Sequence, residues 1–326
     1  MGGDAVNGIV NFLKPPGMTS SDAVTIVRRI LNERHCGHMG TLDPGAAGVL
    51  LIGAGKASRL FDFFLAKRKR YRAEFTFGAE TDTLDAYGTV TRTDRAEIGA
   101  EAFERILPDF TGELEQLPPK FSAVKIGGRK AYELARGSVD FELKSRTVTV
   151  YRIDFLGSPA PNVMALDILC SGGTYIRSLA RDMAAALGTV GYMSSLIRTE
   201  CGEYAISQSL TEQELRECAE RGDFSFLRSP ASAVASLARF EVPGRFYEKL
   251  CNGIPYEGEA VGKRFSSDVK KVPEREAVDR DAGCEAGGKA VPNSGSCDVA
   301  VWCRGEFFGI GERSDGTLRI KTYLKD

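Results

Sequence analysis

The chain has 326 residues, 43% hydrophobic and 27% charged, the balance of a globular protein with room for one large domain and a smaller one. Its net charge is −1, from 43 basic and 44 acidic residues, so bulk charge does not mark a nucleic-acid binder and the placement of charge has to carry any such reading. No apolar run approaches the roughly 20 residues of a membrane-spanning helix, and no secretory signal opens the chain. Eight cysteines without a C-x-x-C pair, beside only two histidines, offer no clustered zinc site; the expectation is a cytoplasmic monomer with reduced thiols and no membrane partner.

In chain order, 8–13 is a short apolar strand that Lys14-Pro15-Pro16-Gly17 ends abruptly. Thr19 and Asp22 stand at capping-box spacing, and Val24, Val27, Ile30 and Leu31 follow at helical spacing. The helix leads into Arg34-His35-Cys36-Gly37-His38-Met39-Gly40-Thr41-Leu42-Asp43-Pro44-Gly45-Ala46-Ala47-Gly48, which holds both histidines of the protein. Glycines shape this loop and Pro44 pushes Asp43 toward extended backbone, so one carboxylate is aimed; an ordinary Asp-Pro-Gly surface turn is the competing reading. A buried strand at 49–52 and a helix over 54–65 come next.

From Lys56 to Arg72 seven basic residues stand against one acid, Asp62. Within it a half-buried strand begins at 70–77, with Tyr71, Ala73, Phe75 and Phe77 on one face. A strand at 88–93 and a helix at 102–107 lead to a different kind of segment, 111–146. It mixes prolines, paired glycines and cations, among them Lys120, Lys125 and Arg129, and reads as a basic excursion able to close over a ligand. Strands at 146–155 and 163–170 pass through Ser171-Gly172-Gly173-Thr174 into a helix that carries Arg177 and runs to about 187. A strand at 190–198 and a helix at 212–220 complete a first domain, 1–235. Beyond it, 236–326 contains short strands and one short helix (239–242, 246–250, 299–303, 307–310, 318–323), the pattern of a small β-barrel-like module. A polar, Gly-rich insertion interrupts it at about 266–297.

Asp43, His38, Tyr71 and Arg177 are the candidates for chemistry. A carboxylate can serve as nucleophile or base, an arginine can hold it ionised and oriented, and a tyrosine and a histidine give an aromatic ligand a flat surface and hydrogen bonds. Each has an ordinary structural explanation on its own; together with the basic segments they fit chemistry on a base of a nucleic acid. Neither phosphate-binding glycine motif is present, so no nucleotide cofactor is expected, nor any other cofactor or metal.

Lys14-Pro15-Pro16-Gly17-Met18-Thr19-Ser20, His38-Met39-Gly40-Thr41-Leu42-Asp43-Pro44, Lys69-Arg70-Tyr71 and Cys170-Ser171-Gly172-Gly173-Thr174-Tyr175-Ile176-Arg177 occur in the order seen in the TruB family of pseudouridine synthases. The excursion, from Pro118-Pro119 to Ala131-Tyr132-Glu133-Leu134-Ala135-Arg136-Gly137, resembles it as well. The likeness is strong over about 8–240, weaker beyond, and lies with the bacterial, stand-alone branch that modifies uridine 55 in the TψC loop of tRNA. It implies an α+β pseudouridine synthase fold, with a mixed, mostly antiparallel sheet flanked by helices, a thumb loop at about 111–146 and a small PUA-like RNA-binding domain at the C-terminus. It also implies that Asp43 is the catalytic aspartate, Arg177 its partner, and Tyr71 the ring that stacks on the target base and assists proton removal. His38 contacts the flipped-out nucleotide in this reading, and Tyr175 and Leu196 complete the base pocket. Lys14, Lys67, Lys69, Lys120, Lys125 and Arg129 are the candidates for contact with the RNA backbone. The chain departs from its relatives at Met39, Gly45 and Ala47, where Thr, a larger residue and Thr are often found, and at Ile197, where a second arginine often precedes Arg198. Isomerising uridine exchanges a C–N for a C–C bond within one nucleotide, so no redox cofactor or energy donor is needed. The target must leave its stack; whether Asp43 attacks C6, attacks C1′ or abstracts a proton on a glycal route stays open. Two other readings stand beside this one: an RNA-binding chaperone of tRNA folding in which catalysis is secondary, and a guide-dependent synthase acting on other RNA.

Overall fold

The computed structural model describes residues 6–137, 139–258 and 296–325. In chain order these form β1 (Gly8–Lys14), α1 (Ser20–Leu31), β2 (Cys36–His38), β3 (Ala47–Ala54), α2 (Phe61–Ala66), β4 (Lys69–Phe77), a small hairpin of β5 (Ala79–Thr81) and β6 (Val90–Thr93), α3 (Ala100–Ile106) and β7 (Gly112–Gln116). A second small hairpin, β8 (Lys125–Ile126) and β9 (Arg129–Lys130), precedes α4 (Ala131–Arg136), β10 (Arg146–Ala160), β11 (Val163–Cys170), α5 (Ile176–Ala186), β12 (Gly191–Cys201), β13 (Tyr204–Ala205) and α6 (Glu212–Glu220). The last strands are β14 (Ala238–Val242), β15 (Tyr256–Glu257), β16 (Cys297–Cys303), β17 (Glu306–Ser314) and β18 (Thr317–Tyr323).

A nine-stranded sheet runs β1-β3-β12-β4-β11-β10-β7, with β2 beside β3 and β13 beside β12. Its pairs are antiparallel except β12 with β3, whose short parallel contact matches Ile197 to Ala47 and Arg198 to Gly48. That contact brings the strand carrying Arg198 against the end of the glycine-rich loop. The alternation in β4 is realised, with Lys69, Tyr71, Ala73, Phe75 and Phe77 all buried. Its inward residues join Val10, Phe12, Leu50 and Ile52 from the neighbouring strands and Val24, Val27 and Leu31 from α1 in one apolar core, the main stabilising term of the fold. The capping box at α1 forms as expected: Asp22 N–H donates to Thr19 Oγ1 at 3.1 Å, and Thr19 N–H donates back to the Asp22 carboxylate at 3.1 Å.

The segment 54–65, read from sequence as one helix, is two elements. Gly55 takes φ +61°, a left-handed turn off β3, and the chain makes a 3₁₀ helix over Gly55–Leu60 before α2 begins. A Cβ at position 55 would lie 2.3 Å from the Val6 carbonyl oxygen, so glycine is required there.

The second sheet runs β14-β16-β17-β18-β15 and curls into a half-barrel. The expected strands at 239–242, 299–303, 307–310 and 318–323 are present, and 246–250 supplies the short helix Tyr247–Cys251. The expected insertion at 266–297 falls outside the described residues up to 295. Ala300, Ile310 and Leu324 from this sheet pack with Ile9, Met39, Val49 and Leu51 from the first in a shared apolar cluster. Lys56 and Arg59 reinforce the junction, donating to the carbonyl oxygens of Lys325 and Tyr323.

Candidate active site

The loop after α1 is built from both ends. Ser20, in the first turn of α1, donates through Oγ to the Leu42 carbonyl at 3.0 Å and accepts from the Leu42 N–H at 3.0 Å. One buried hydroxyl thereby fixes both backbone groups of the residue before Asp43. After Asp43, the Ala46 N–H closes a turn on the Asp43 carbonyl at 3.0 Å. The Pro44 carbonyl accepts from the Gly17 N–H at 2.8 Å and from Lys14 Nζ at 3.2 Å. At the far end Gly48 has φ +107°, and a Cβ there would sit 2.2 Å from the Arg198 carbonyl oxygen. Only glycine allows β12 this close.

Lys14 and Lys69 correct the sequence reading. Candidates for RNA-backbone contact by sequence, they lie inside the protein: Lys14 is wholly buried and Lys69 is 5% exposed. Lys14 gives its ammonium to the carbonyls of Pro15, Met18 and Pro44, tying the Pro-Pro-Gly turn to the loop of Asp43. Lys69 gives its own to Phe64, Leu65 and Lys67, satisfying the carbonyls left over at the end of α2. Three carbonyl acceptors compensate the burial of each charge. Burial pulls the Lys14 ammonium down to about 8, while Asp43 opposes the fall. Lys67 is also withdrawn from the open surface, donating to Ser236 at 2.9 Å and covering the Phe63 ring. Lys120, Lys125 and Arg129 are exposed on the basic excursion.

Asp43 meets Arg177 in a two-pronged pair, Nη2 to Oδ1 at 3.0 Å and Nε to Oδ2 at 2.9 Å. The arginine side chain is 7% exposed and the carboxylate 28%, so the carboxylate is gripped from within and open on its outer face. Arg177 sits in the first turn of α5, just after the Gly172-Gly173 turn. A Cβ at Gly172 would lie 1.9 Å from the Leu65 carbonyl oxygen, so glycine lets that turn press against the end of α2. The remaining guanidinium hydrogens reach the carbonyls of Thr83 and Phe121, each at 3.0 Å, and approach Asp85 at 3.9 Å. Four of its five N–H donors have close partners and the fifth faces Asp85, which fixes the plane of the guanidinium and with it the carboxylate.

Arg198 was legible in the sequence only as a neighbour of Ile197; the structure makes it a strap. It is 2% exposed and donates to the carbonyls of Val49 at 2.7 Å and of Thr41 and Gly40 at 3.4 Å each. On its other side it pairs across the strands with Tyr71. Burial pushes the Tyr71 hydroxyl well above the usual phenol range, with Arg198 opposing, so the hydroxyl is a neutral phenol. His38, opposite Ile52 on β2, has a buried Nδ1 without a partner among the described residues. Burial first, then Arg198 and Lys130, lower its pKa, so it too is neutral.

Tyr175 is positioned through Gln116, a residue the sequence did not single out. The Gln116 amide is 1% exposed and binds the Tyr175 N–H at 2.8 Å and its carbonyl at 3.1 Å. The Tyr175 ring lies under the Arg146 guanidinium at 5.0 Å. Leu196 is 7% exposed and belongs to the main core. The excursion begins at a clasp on α5, where the Leu117 carbonyl accepts from Ser178 Oγ at 2.8 Å and Arg181 Nη2 at 3.0 Å. Ser20, Gln116 and Arg198 carry no local signal of their role, since each acts on residues 22 to 158 positions away.

A half-open carboxylate locked on a buried arginine can act on a polar ring as nucleophile or base. Residues 28–176 match the family model described as the N-terminal domain of TruB family pseudouridylate synthases. A protein of Pelotomaculum thermopropionicum called tRNA pseudouridine synthase B is 46% identical over 223 residues, 67% of this chain and 70% of that one. One of the same name from Symbiobacterium thermophilum is 42% identical over 253 residues, 76% and 83% of the two chains. Among solved structures, a chain of an H/ACA ribonucleoprotein bound to a substrate RNA containing 2′-deoxyuridine superposes with a TM-score of 0.67 at 20% identity, covering 98% of this chain and 85% of its own. The fold is thus that of pseudouridine synthases, with the curled C-terminal sheet as the counterpart of a PUA-like module. The chain belongs to the TruB family, and it is a pseudouridine synthase, an isomerase.

Proposed function

We propose that this synthase isomerises uridine 55 in the TψC loop of tRNA, with Asp43 as the catalytic residue and the target base flipped out of its stack. The observation that carries the reading is the Asp43–Arg177 pair, 2.9 and 3.0 Å through two separate donors. It fixes the carboxylate in orientation while leaving it partly open to solvent. The curated relatives, named as acting on tRNA, support the choice of substrate.

In this scheme the Tyr71 ring stacks on the target uracil and offers a neutral hydroxyl for proton transfer. Neutral His38 uses its unpartnered Nδ1 toward the extruded nucleotide. Tyr175 and Leu196 line the base pocket, one fixed by Gln116 and the other by the core. Lys120, Lys125 and Arg129 contact phosphates from the excursion, while Lys14 and Lys69 act inside the protein and half-buried Lys67 braces Ser236. No atom is gained or lost, so the chain's own residues suffice: Asp43 takes up the developing charge, Arg177 holds it in place, and the excursion limits water.

The test is conversion of uridine in a synthetic TψC stem-loop by the full chain alone. Asp43→Asn keeps the shape of the side chain and removes its charge. The expected result is turnover by the wild type and a fall of about 10⁴-fold or more in the variant, the scale seen when one essential catalytic side chain is removed. A fully active variant contradicts the role of Asp43, and a wild type active only with an added guide RNA contradicts the choice of substrate.

A further inference from the structure

Tyr87 is 68% exposed, the most exposed large apolar side chain among the described residues, and it stands beside the catalytic loop. The edge of its ring fills the space that a side chain at position 45 would need: a Cβ on Gly45 would lie 2.0 Å from Cε2, 2.5 Å from Cδ2 and 2.9 Å from Cζ. The ring is therefore seated on backbone two residues after Asp43, with most of its surface facing solvent. Gly45 and Tyr87 are complementary, since any larger residue at 45 would evict the ring.

The turn that presents Tyr87 is held firmly. Asp85 accepts from the Tyr87 N–H at 3.0 Å and from Thr83 Oγ1 at 2.7 Å. Thr81 Oγ1 donates to the Asp85 carbonyl at 2.7 Å. The Leu84 carbonyl accepts from Met193 on β12 at 3.1 Å, and Leu84 itself takes φ +60°. Arg177 donates to Thr83 at 3.0 Å while gripping Asp43, so one guanidinium sets both the carboxylate and the turn bearing the ring. A rigidly mounted, exposed aromatic side chain is what a splayed RNA base needs, because stacking is strong, tolerant of sequence and costs little when the ring is already ordered.

We propose that Tyr87 is a stacking platform for an unstacked base next to the target uridine, a positioning contact that this chain builds from the pair Gly45 and Tyr87. The inference rests on the RNA-modifying reading above. Extruding one nucleotide leaves its neighbours without a stacking partner, and the exposed ring beside Asp43 supplies one. The contact is made before and during reaction alike, so it acts on substrate affinity and leaves the chemical step alone.

The experiment measures kcat and KM for the full chain on the TψC stem-loop, comparing wild type, Tyr87→Ala and Tyr87→Phe, with a second set of RNAs carrying an abasic sugar on either side of the target. Tyr87→Ala is expected to raise KM about tenfold, the scale of one lost base–aromatic stack, with kcat within about twofold. Tyr87→Phe is expected to match wild type, and the alanine penalty to vanish on one of the abasic RNAs. An unchanged KM in Tyr87→Ala overturns the proposal, as does a Tyr87→Phe variant as weak as alanine, or a penalty that persists at both abasic positions. A wild type that leaves the stem-loop unmodified overturns the function itself and this inference with it; an active wild type with an indifferent Tyr87→Ala overturns the inference alone.

Discussion

His38 brings an imidazole into the loop that carries Asp43 without adding a charge. Burial and the nearby cations Arg198 and Lys130 hold its pKa below the ordinary 6.5. Between that lowered value and 6.5 the unfolded chain binds a proton at this residue that the folded chain refuses, so stability falls as pH drops through the window. His38→Gln removes the effect. Urea denaturation at pH 7 and pH 5 is expected to show a larger loss of unfolding free energy for wild type than for the variant, and equal losses contradict the assignment. Much at this scale was legible in the sequence: the Asp-Pro-Gly turn and the glycines announced a shaped loop, and capping-box spacing announced the start of α1. The lysines were not legible. A lysine's sequence neighbours cannot reveal that its ammonium is absorbed by carbonyls brought together by folding, as Lys14 is by Pro44 across 30 positions or Lys69 by the end of α2.

The strands and helices of the first sheet follow periodicity closely because their apolar faces repeat, and a buried alternating strand such as β4 leaves little choice of register. Pattern failed where a special backbone conformation intervened, as at Gly55, and where an element owes its place to distant contacts, as does the turn 81–88 that Arg177 and Met193 hold. The basic excursion was recognised by composition alone. Its exposed Lys120, Lys125 and Arg129 contrast with Lys14 and Lys69, which serve inside the protein, and this division predicts separate phenotypes. Replacing Lys120, Lys125 and Arg129 together by alanine is expected to lower the slope of log affinity against log salt by about 2, near 0.7 for each phosphate contact to unpaired RNA, with kcat at saturating RNA nearly unchanged. Filter binding over a salt series measures it, and an unaltered slope contradicts the assignment.

At the scale of the molecule, the two sheets share one apolar cluster, in which Ile310 from the second and Leu324 just after it pack with Ile9, Val49 and Leu51 from the first. The sequence marked a boundary near 235 but gave no sign of this shared core, whose members come from opposite ends of the chain. Ile310→Ala is expected to cost about 2–4 kcal/mol and to unfold both sheets together. Because Trp302 is the one tryptophan and lies on β16, its fluorescence reports the second sheet while far-UV circular dichroism reports mainly the first. Coincident urea transitions are expected, and two separated transitions contradict a common core. Asp43 is gripped by the buried Arg177 in a loop that Arg198 straps and Lys14 ties down. The most direct test of its role is to incubate an unmodified tRNA transcript with the full chain alone, map every pseudouridine formed, and repeat with Asp43→Asn. The expected result is modification at uridine 55 of the TψC loop by the wild type and none by the variant; modification by both proteins contradicts the role of Asp43, and modification by neither contradicts the choice of substrate.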